Sequence, residues 1–382
     1  KPHHSILNHE PATLPQGLPK LHISQSEWND PTVYQKYKLE GHTSTLAFEN
    51  NELSIEANIT ASDRYVCLNR EWEFIWRKSI LNLPRNVPNF FASQPRRHKI
   101  NVPGHIEYPF PPADSNPLKD VYAHPVYTNI DFPFVMKSNG ELNPRFNPVG
   151  IYRRYFPVPL AHKQDDRLWL HVGSVKSAVY VWINGVVVGY GEGSKLPSEF
   201  DITDYVDVTS TLNCVVLQVL RFSSGSYLED QDMWDLSGIE RDVYVVSRPR
   251  VFVWDFTADA GLLSPRYEEG VLQFSTVIHV HPNTQSGGDD DNTIDDNALA
   301  LDIEVRGNEV FAEHVVMKKT ILISQTSIVP SCQRFDSIDF WGADLPNGTF
   351  PNLGFADCAE KCNQRRDCNH FSIVFHKCWL KE

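Results

Sequence analysis

The runs Val179-Tyr-Val-Trp-Ile183 and Val186-Val-Val188, joined by Asn184-Gly185, decide the fold class of this chain. β-Branched and aromatic residues fill both runs, and such residues favour strands. The Asn-Gly pair supplies two residues that adopt a positive φ at low cost, which a two-residue hairpin turn requires. The stretch therefore predicts two antiparallel strands joined by a tight turn.

Further short runs on both sides of this hairpin have the same character. Arg167-Leu-Trp-Leu-His-Val172 alternates polar with apolar residues, as a half-buried strand does. Similar runs separated by turn signals are Cys214–Leu220, Val251–Phe256, Gly270–Val280 and Ala300–Val305. The 26 prolines of the chain also disfavour long helices. We therefore predict an all-β protein, with one sandwich over residues 61–248 and an immunoglobulin-like sandwich over residues 249–328.

Residues 1–60 differ from the rest in composition. They are rich in Pro, His, Asn and Gln and lack sustained periodicity. A segment of this kind buries little apolar surface by itself, so we predict an extended arm that lies on the surface of the following sandwich.

Length and charge limit the classes of function. A chain of 382 residues has room for two or three domains. The 35 Lys and Arg against 48 Asp and Glu give a formal charge of −13, the wrong sign for a surface that neutralises phosphates. We therefore expect no nucleic-acid partner. No run of eighteen apolar residues occurs, so we expect no membrane-spanning helix either.

The seven cysteines point to an extracellular location. Five of them crowd the end of the chain, as Cys332, Cys358, Cys362, Cys368 and Cys378. Such density in a short segment is typical of a disulfide framework formed in an oxidising compartment. A zinc site at three of these cysteines is the alternative, but His370 and His376 fit no familiar zinc spacing. Cys67 and Cys214 stand alone, and we predict small buried side chains for both.

Other features support secretion or suggest metals. A start at Lys1 fits a mature terminus left by signal-peptide removal, and the sequons at Asn58 and Asn347 are predicted glycosylation sites.

The acidic stretch 286–296 lacks the spacing of a calcium loop, so we favour a solvated loop. His279 and His281 lie two residues apart and could share a metal, although ordinary strand positions on one face are the better interpretation.

Several motifs in the middle of the chain resemble one family. They are Pro125-Val-Tyr-Thr-Asn129, Asn147-Pro-Val-Gly-Ile-Tyr-Arg153, Gly189-Tyr-Gly191, Leu196-Pro-Ser-Glu-Phe-Asp201, Ser226-Tyr-Leu-Glu-Asp-Gln-Asp-Met-Trp234, Leu236-Ser-Gly238 and Arg241-Asp-Val243. Their order resembles the sugar-binding domain of the β-galactosidases of glycoside hydrolase family 2. Leu68-Asn-Arg-Glu-Trp72 resembles the strand that opens that domain, and Glu27-Trp-Asn-Asp-Pro31 resembles its N-terminal arm. The resemblance covers about residues 27–280 and implies a galactose-binding-like jelly roll over 61–248.

The resemblance also implies two carbohydrate-binding residues. Asn129 matches an asparagine that reaches the galactose site, and Asp232 matches an aspartate that binds galactosyl hydroxyls and a sodium ion. Amide and carboxylate groups supply the oriented donors and acceptors that a polyhydroxylated ring needs. The chain departs from the family at Ser224, where an aspartate is usual, and over residues 102–123. The second sandwich ends near residue 328, so we expect an incomplete or altered domain there.

Catalysis in this family depends on a part that we expect this chain to lack. Retaining hydrolysis needs two carboxyl groups about 5 Å apart, and the family carries both on a (β/α) barrel of about 250 residues. Residues 329–382 are too few for a barrel and show no alternation of strands and helices. We therefore predict a pseudoenzyme that requires no cofactor, with Glu229 and Asp230 outside any catalytic role. The family resemblance implies sodium and magnesium. Asp232 would supply half of a sodium site in this chain, and the magnesium would bind on the missing barrel.

The tail, residues 329–382, resembles a PAN/apple module, a small disulfide-rich α+β fold. The matching motifs are Gly342-Ala-Asp-Leu345, Asp357-Cys-Ala-Glu-Lys-Cys362, Asp367-Cys368 and Cys378-Trp-Leu-Lys381. The resemblance implies the disulfides Cys362–Cys368 and Cys358–Cys378. Cys332 then either pairs with a cysteine beyond Glu382 or stays free.

Together these features lead to a functional expectation. We expect a secreted, non-catalytic, β-galactosidase-like protein that binds carbohydrate or has a structural and adhesive role. Its expected partners are galactose-containing glycans or extracellular proteins, in an extracellular assembly or oligomer. The alternative is the N-terminal portion or a spliced form of an active β-galactosidase.

Overall fold

The computed structural model describes residues 21–81, 83–107, 123–262, 270–281, 300–306, 317–322, 333–339, 370–374 and 377–381. The chain divides into two compact units, one of residues 1–40 and 47–248 and the other of residues 41–46 and 249–382. Within the described residues strands predominate and helices are few and short. The predicted all-β class is therefore confirmed.

The first unit contains fourteen of the described strands and two short α-helices. The strands are β1 Gln35–Lys36, β2 Tyr65–Cys67, β3 Arg70–Arg77, β4 His98–Val102, β5 Gly104–His105, β6 Val149–Phe156, β7 Arg167–Val172, β8 Val175–Lys176, β9 Ala178–Ile183, β10 Val186–Glu192, β11 Ser198–Asp201, β12 Asn213–Leu220, β13 Gly238–Ile239 and β14 Val243–Arg248. The α-helices are α1 Asn51–Glu56 and α2 Val87–Ser93. Single 3₁₀ turns occur at Glu27–Asn29, Ile59–Ala61, Pro144–Phe146, Thr203–Tyr205 and Ser224–Tyr227.

These strands form a sandwich. One sheet has seven strands in the order β1-β10-β9-β12-β6-β3-β4, a second has four in the order β11-β7-β14-β2, and a third has three in the order β5-β13-β8. The main core lies between the first two sheets, where Val181 and Leu217 of one meet Leu170 and Val245 of the other. The strands predicted at 167–172, 179–183, 186–188 and 214–220 are all present.

The hairpin that predicted the fold has the expected turn. Strands β9 and β10 pair with Ile183 opposite Val186, and Asn184 and Gly185 have φ values of 48° and 89°. Asn184 also accepts a hydrogen bond of 2.8 Å at Oδ1 from the backbone N–H of Cys214. The turn residue thus ties the hairpin to the neighbouring strand β12.

The outer face of the seven-stranded sheet is covered by two segments. Trp28 of the arm and Val87 and Phe91 of α2 pack with Tyr180 and Tyr190 in a second apolar cluster. Only 7% of Trp28 is exposed. Because burial of a large aromatic side chain stabilises strongly, this residue anchors the arm.

The arm is less extended than the sequence predicted. Strand β1 pairs with β10, and residues 51–56 form helix α1, whose N-cap Asn50 accepts a hydrogen bond from the backbone N–H of Leu53. Helix α1 buries no residue, so its sequence carries no apolar periodicity to reveal it. Asparagine at an N-cap stabilises even a short helix because it satisfies a backbone N–H.

The described part of the second unit contains seven strands. They are β15 Val251–Leu262, β16 Gly270–Val280, β17 Ala300–Val305, β18 Met317–Leu322, β19 Gln333–Asp339, β20 His370–Val374 and β21 Lys377–Lys381. The strands predicted at 251–256, 270–280 and 300–305 are β15, β16 and β17, and β15 continues six residues beyond its predicted end. Sheets of order β15-β16-β19, β17-β18 and β20-β21 result. Strand β19 lies beyond the predicted boundary at residue 328 and pairs with β16. That the region is an immunoglobulin-like sandwich stays a prediction.

Residues 41–46 belong to this second unit and are held by a backbone N–H and a hydroxyl group. Thr43 donates from its backbone N–H to Oδ1 of Asp255 at 2.8 Å, and Thr45 Oγ1 donates to the carbonyl oxygen of Val253 at 2.8 Å. Burial raises the pKa of Asp255, but the hydrogen bonds from Thr43 and Phe256 lower it by more, so the net shift is downward. The segment 41–46 is thereby fixed along β15.

The two isolated cysteines differ. Cys214 is partly buried, and burial raises the pKa of its thiol to about 12, so the thiol is protonated and inert at neutral pH. Cys67 is exposed, so the prediction of a buried side chain is wrong for this residue. Side chains alternate along a strand, and in β2 the core position belongs to Val66.

Several predictions fall outside the described residues or stay untested. Asn347, the acidic stretch 286–296 and the side chains of the five clustered cysteines lie outside them, so both disulfides remain predictions. The rings of His279 and His281 lie 4.4 Å apart beside Phe252. In the described ranges no cluster of three or more His, Cys, Asp or Glu residues could hold a metal. Nor does any helix there have the length and apolar character needed to cross a bilayer.

Candidate functional site

Two segments that are distant in sequence meet at one point of the first unit. The backbone N–H of Asp235 donates to the carbonyl oxygen of Val126 at 2.7 Å, and the reverse bond is 3.4 Å long. This isolated antiparallel bridge places the segment around Asn129 beside the segment around Asp232. The two residues that the resemblance singled out are brought into one neighbourhood in this way.

The two segments border an open cleft of about 690 Å³. Asn129, Asp131 and Phe132 line it from the first segment, and Asp230 and Asp232 line it from the second. The volume falls within the range of about 300–1,000 Å³ that is usual for small-ligand sites. The cleft thus combines carboxylates, an amide and apolar surface, the mixture that sugar recognition uses.

A tyrosine orients the central carboxylate. Tyr127 donates from its Oη to Oδ1 of Asp232 at 2.6 Å. This hydrogen bond and the negative charge of Asp232 raise the pKa of Tyr127. The hydroxyl therefore remains a donor throughout the neutral pH range. The sequence motif contains Tyr127, but nothing in it reveals that this side chain contacts Asp232.

Two exposed aromatic rings stand next to the carboxylate. The ring centroids of Tyr127 and Trp234 are 5.7 Å apart, with the planes tilted by 47°. Tyr127 is 49% exposed and Trp234 is 60% exposed. Large aromatic side chains usually bury most of their surface, so this pair offers apolar contact to a ligand. Sequence reasoning gave neither ring a role.

Aromatic side chains support the floor of the cleft. Phe132 and Phe134 are stacked with centroids 4.9 Å apart, and Tyr227 meets Phe134 edge-on at 4.8 Å. Tyr227 also donates from Oη to the carbonyl oxygen of Gly140 at 2.6 Å. These contacts fix the loop that follows Asn129.

A buried ionic network lies behind the bridge. Asp235 accepts from Lys176 Nζ at 2.9 Å and from Arg221 Nε at 3.2 Å. Arg221 further donates to the carbonyl oxygens of His124 and Asp235 and lies 3.5 Å from Glu107. Because each buried charge has an opposite partner, the network holds both segments without leaving a charge uncompensated.

The two neighbouring acids, Glu229 and Asp230, differ in their surroundings. Glu229 accepts a hydrogen bond from the backbone N–H of Ser194 at 2.9 Å and another from Ser194 Oγ. Its carboxylate is thus engaged in holding the residues after β10. Asp230 is exposed on the cleft.

Ser224, the position where an aspartate is usual in the family, lies beside the N-terminal arm. Ser224 Oγ donates to the carboxylate of Glu192 at 3.0 Å and to the carbonyl oxygen of Asp30 at 3.4 Å. Burial raises the pKa of Glu192. An aspartate at position 224 would place a second acid against Glu192, so serine suits this neighbourhood.

The predicted sodium ligand also lies in the cleft. Oxygen atoms of carboxylates and amides are the ligands that hard cations prefer, and Asp232 and Asn129 supply such atoms. Among the described residues no group of three or more His, Cys, Asp or Glu side chains could hold a metal ion, so sodium binding at Asp232 stays a prediction.

Two family models match the chain. The sugar-binding domain of glycosyl hydrolases family 2 matches residues 66–249, and the PAN domain matches residues 338–381. The resemblances stated from the sequence are therefore confirmed.

Several curated relatives are named beta-galactosidase. The one from Priestia megaterium is 32% identical over 333 residues, which are 84% of this chain and 29% of the relative. The one from Psychromonas ingrahamii is 34% identical over 246 residues, which are 63% of this chain and 21% of the relative. The chain thus spans less than a third of the length of these relatives.

Solved structures of beta-glucuronidases are also similar. The enzyme from an uncultured Clostridium aligns with a TM-score of 0.44 at 18% sequence identity. The alignment covers 72% of this chain and 40% of the chain of that enzyme. The enzyme from Ruminococcus gnavus aligns with a TM-score of 0.42 at 14% sequence identity. This alignment covers 72% of this chain and 39% of the chain of that enzyme.

Proposed function

We propose that this chain, whose residues 66–249 match the sugar-binding domain of glycosyl hydrolases family 2, binds galactose-containing glycans in the Asn129–Asp232 cleft and does not hydrolyse them. The single observation that carries the proposal is the hydrogen bond from Tyr127 to Asp232 on a cleft that Asn129 also lines. It supplies a fixed acceptor beside an amide, and both are groups that recognise sugar hydroxyls.

The proposed binding mode uses each group according to its chemistry. A carboxylate has two oxygens with about four lone-pair sites in total, so Asp232 keeps acceptor capacity for sugar hydroxyls after Tyr127 has bonded to Oδ1. Asn129 adds one donor group and one acceptor. Trp234 offers its exposed ring to the apolar C–H face of the sugar. Asp232 and Asn129 would also supply oxygen ligands to a sodium ion, whose charge would attract further hydroxyl oxygens.

The absence of hydrolysis is part of the proposal. Retention of configuration needs a nucleophile and an acid about 5–5.5 Å apart, one on each side of the glycosidic bond. Among the acids near the cleft, Glu229 is engaged by Ser194 and Asp232 by Tyr127. We therefore assign both acids to structure and binding.

Secretion and modification complete the proposed role. Asn58 is exposed, and its Oδ1 accepts a hydrogen bond of 2.7 Å from Thr60 Oγ1 within the same sequon. We propose glycosylation at this residue, and the disulfides Cys362–Cys368 and Cys358–Cys378 in a PAN domain that attaches the protein to extracellular glycans or proteins.

A second candidate is the N-terminal portion or a spliced form of an active β-galactosidase. The observation that favours it is that this chain matches only 29% and 21% of the lengths of two relatives named beta-galactosidase. The intact mass of the native protein, with peptide mapping of its C-terminus, separates the two candidates. A mass near 43.6 kDa before glycosylation supports the binding protein, and several hundred further residues support the enzyme.

Calorimetric titration with methyl β-D-galactoside tests the proposed binding. We expect saturable binding that Asp232→Ala and Asn129→Ala each weaken about tenfold or more, as loss of a charged or multiple hydrogen bond does. Asp165→Ala removes an exposed carboxylate outside the cleft and serves as the control. Nitrophenyl galactoside should not be cleaved by the purified chain. Binding that is unchanged in both cleft variants, or cleavage without any other protein, contradicts the proposal.

A further inference from the structure

A second cleft opens at a fork between two strands. Strand β3 pairs with β4 only as far as Phe74, opposite His98, whereas its pairing with β6 continues to Arg77. Residues 75–77 therefore have β6 on one side and, in the described part of the chain, a cleft of about 270 Å³ on the other. Ile75, Trp76, Arg77, Gln94, Arg96 and His98 line this β3–β4 cleft. It shares no lining residue with the Asn129–Asp232 cleft.

The charge of this cleft is opposite to that of the chain. The net charge of the chain is −13, yet the lining contains two arginines, a histidine and no carboxylate. The two acids of strand β3 are engaged elsewhere, because Glu73 binds Arg153 at 2.6 Å and Glu71 binds Lys99 at 2.9 Å. Among the described residues no ion pair joins Arg77 or Arg96 to an acid. The positive charge at the fork is therefore not neutralised.

Neutral groups hold Arg77 in place. Its Nη2 donates to Oε1 of Gln94 at 2.7 Å and its Nη1 donates to the carbonyl oxygen of Trp76 at 3.2 Å. The guanidinium also lies over the ring of Phe90, 5.1 Å from its centroid. A guanidinium has five N–H donors in a planar fork, so donors remain for a ligand. An arginine that is already immobilised loses less side-chain entropy when an anion binds.

From these observations we propose that the β3–β4 cleft binds the anionic group of a single acidic sugar unit, either a carboxylate or a sulfate ester. The planar, immobilised guanidinium group of Arg77 matches the paired oxygens of such anions. Trp76 lines the cleft and is only partly buried, so it offers apolar surface to the carbon face of a ring. The cleft volume of about 270 Å³ lies just below the usual range of about 300–1,000 Å³ for small-ligand sites, which suits one ring. The negative charge of the whole chain disfavours a polyanion, because long-range repulsion grows with ligand charge.

Titrations of the full chain at low salt test this site. The ligands are galacturonate for the carboxylate, galactose 6-sulfate for the sulfate, neutral galactose, and a peptide of four glutamates. We expect one or both acidic sugars to bind more tightly than galactose, and the tighter of the two identifies the anion. Arg77→Gln and Arg96→Gln should each weaken that binding about tenfold or more, the effect of one lost charge-assisted hydrogen bond, while their affinity for methyl β-D-galactoside stays unchanged.

Controls keep the result separate from the galactoside cleft. Arg145→Gln makes the same charge change at an exposed arginine over Phe146 and should leave all affinities unchanged. Arg96 is exposed, so its variant tests the site even if Arg77→Gln lowers the melting temperature. Acidic-sugar binding should also persist in saturating methyl β-D-galactoside. Equal affinity for charged and neutral sugars, no effect of either arginine variant, or preference for the glutamate peptide would overturn the proposal.

Discussion

Tyr127 donates a hydrogen bond of 2.6 Å from Oη to Oδ1 of Asp232, although the two residues belong to segments far apart in the chain. The bridge between Val126 and Asp235 makes this contact geometrically possible. The contact fixes the orientation of an exposed carboxylate before any ligand arrives. Such preorganisation reduces the entropic cost of binding.

Removal of the hydroxyl group of Tyr127 should weaken galactoside binding. Tyr127→Phe keeps the ring beside Trp234 but leaves the carboxylate of Asp232 without its donor. We expect an affinity loss of about three- to tenfold, since one hydrogen bond contributes about 0.5–1.5 kcal/mol. Calorimetric titration measures it, and Tyr34→Phe at another exposed tyrosine is the control. Unchanged affinity in Tyr127→Phe would show that the hydrogen bond has no part in binding.

The ionic network behind the cleft should contribute strongly to stability. Arg221→Met leaves Glu107 and Asp235 buried with Lys176 as the remaining cation. Removal of one partner of a buried ion pair costs about 3–5 kcal/mol, and urea denaturation of the purified chain measures this loss. Arg145→Met, at an exposed arginine, should change the free energy of unfolding by less than about 0.5 kcal/mol. Equal stability of the two variants contradicts the account.

Docking of the arm should depend on pH through Glu27. Burial raises the pKa of this carboxyl, but hydrogen bonds from Ser24 and from Tyr180 lower it by more, so its net shift is downward. A lowered acid pKa contributes stability above the unfolded value of about 4.5, and this contribution disappears as pH falls through the folded pKa.

Glu27→Gln should therefore destabilise the protein at pH 7 by about 1 kcal/mol, the usual contribution of such hydrogen bonds. The difference from the wild type should shrink below pH 4.5. Urea unfolding at pH 7 and at pH 3.5 measures both values. A difference that grows on acidification would mean that the sign of the shift is wrong.

Gly189 is required by the packing of β10 against Phe200. A Cβ atom at this position would lie 2.2 Å from the Phe200 ring and 3.3 Å from the carbonyl oxygen of Lys36. We expect Gly189→Ala to cost about 1–3 kcal/mol of unfolding free energy, as overpacking does. Gly261→Ala, with open space around the new methyl group, is the control in a calorimetric melting experiment. A neutral Gly189→Ala would contradict this packing.

Local patterns predicted much of the fold. The strands at 167–172 and 214–220 and the Asn184–Gly185 turn follow from alternation and turn chemistry, which act between residues close in sequence. Helix α1 was missed because it buries no residue. The exposure of Cys67 was missed because the face of a short strand depends on which neighbour occupies the core.

The candidate site was predicted only in part. The family motifs identified Asn129 and Asp232, but their position on a common cleft depends on the pairing of Val126 with Asp235. Tyr127 and Trp234 have no individual sequence signal, since their exposure results from that same pairing. The Arg221–Asp235 contact and the β3–β4 cleft likewise arise from long-range packing that periodicity does not encode.

The position of a bound galactoside is the most direct measurement of the central claim. Crystals of the full chain soaked with methyl β-D-galactoside should show the sugar between Asn129 and Asp232, with its hydroxyl oxygens within about 2.5–3.0 Å of the Asp232 carboxylate. They should also show its C–H face against Trp234. Sugar density that lies elsewhere, with this cleft filled only by water at saturating ligand, would contradict the account.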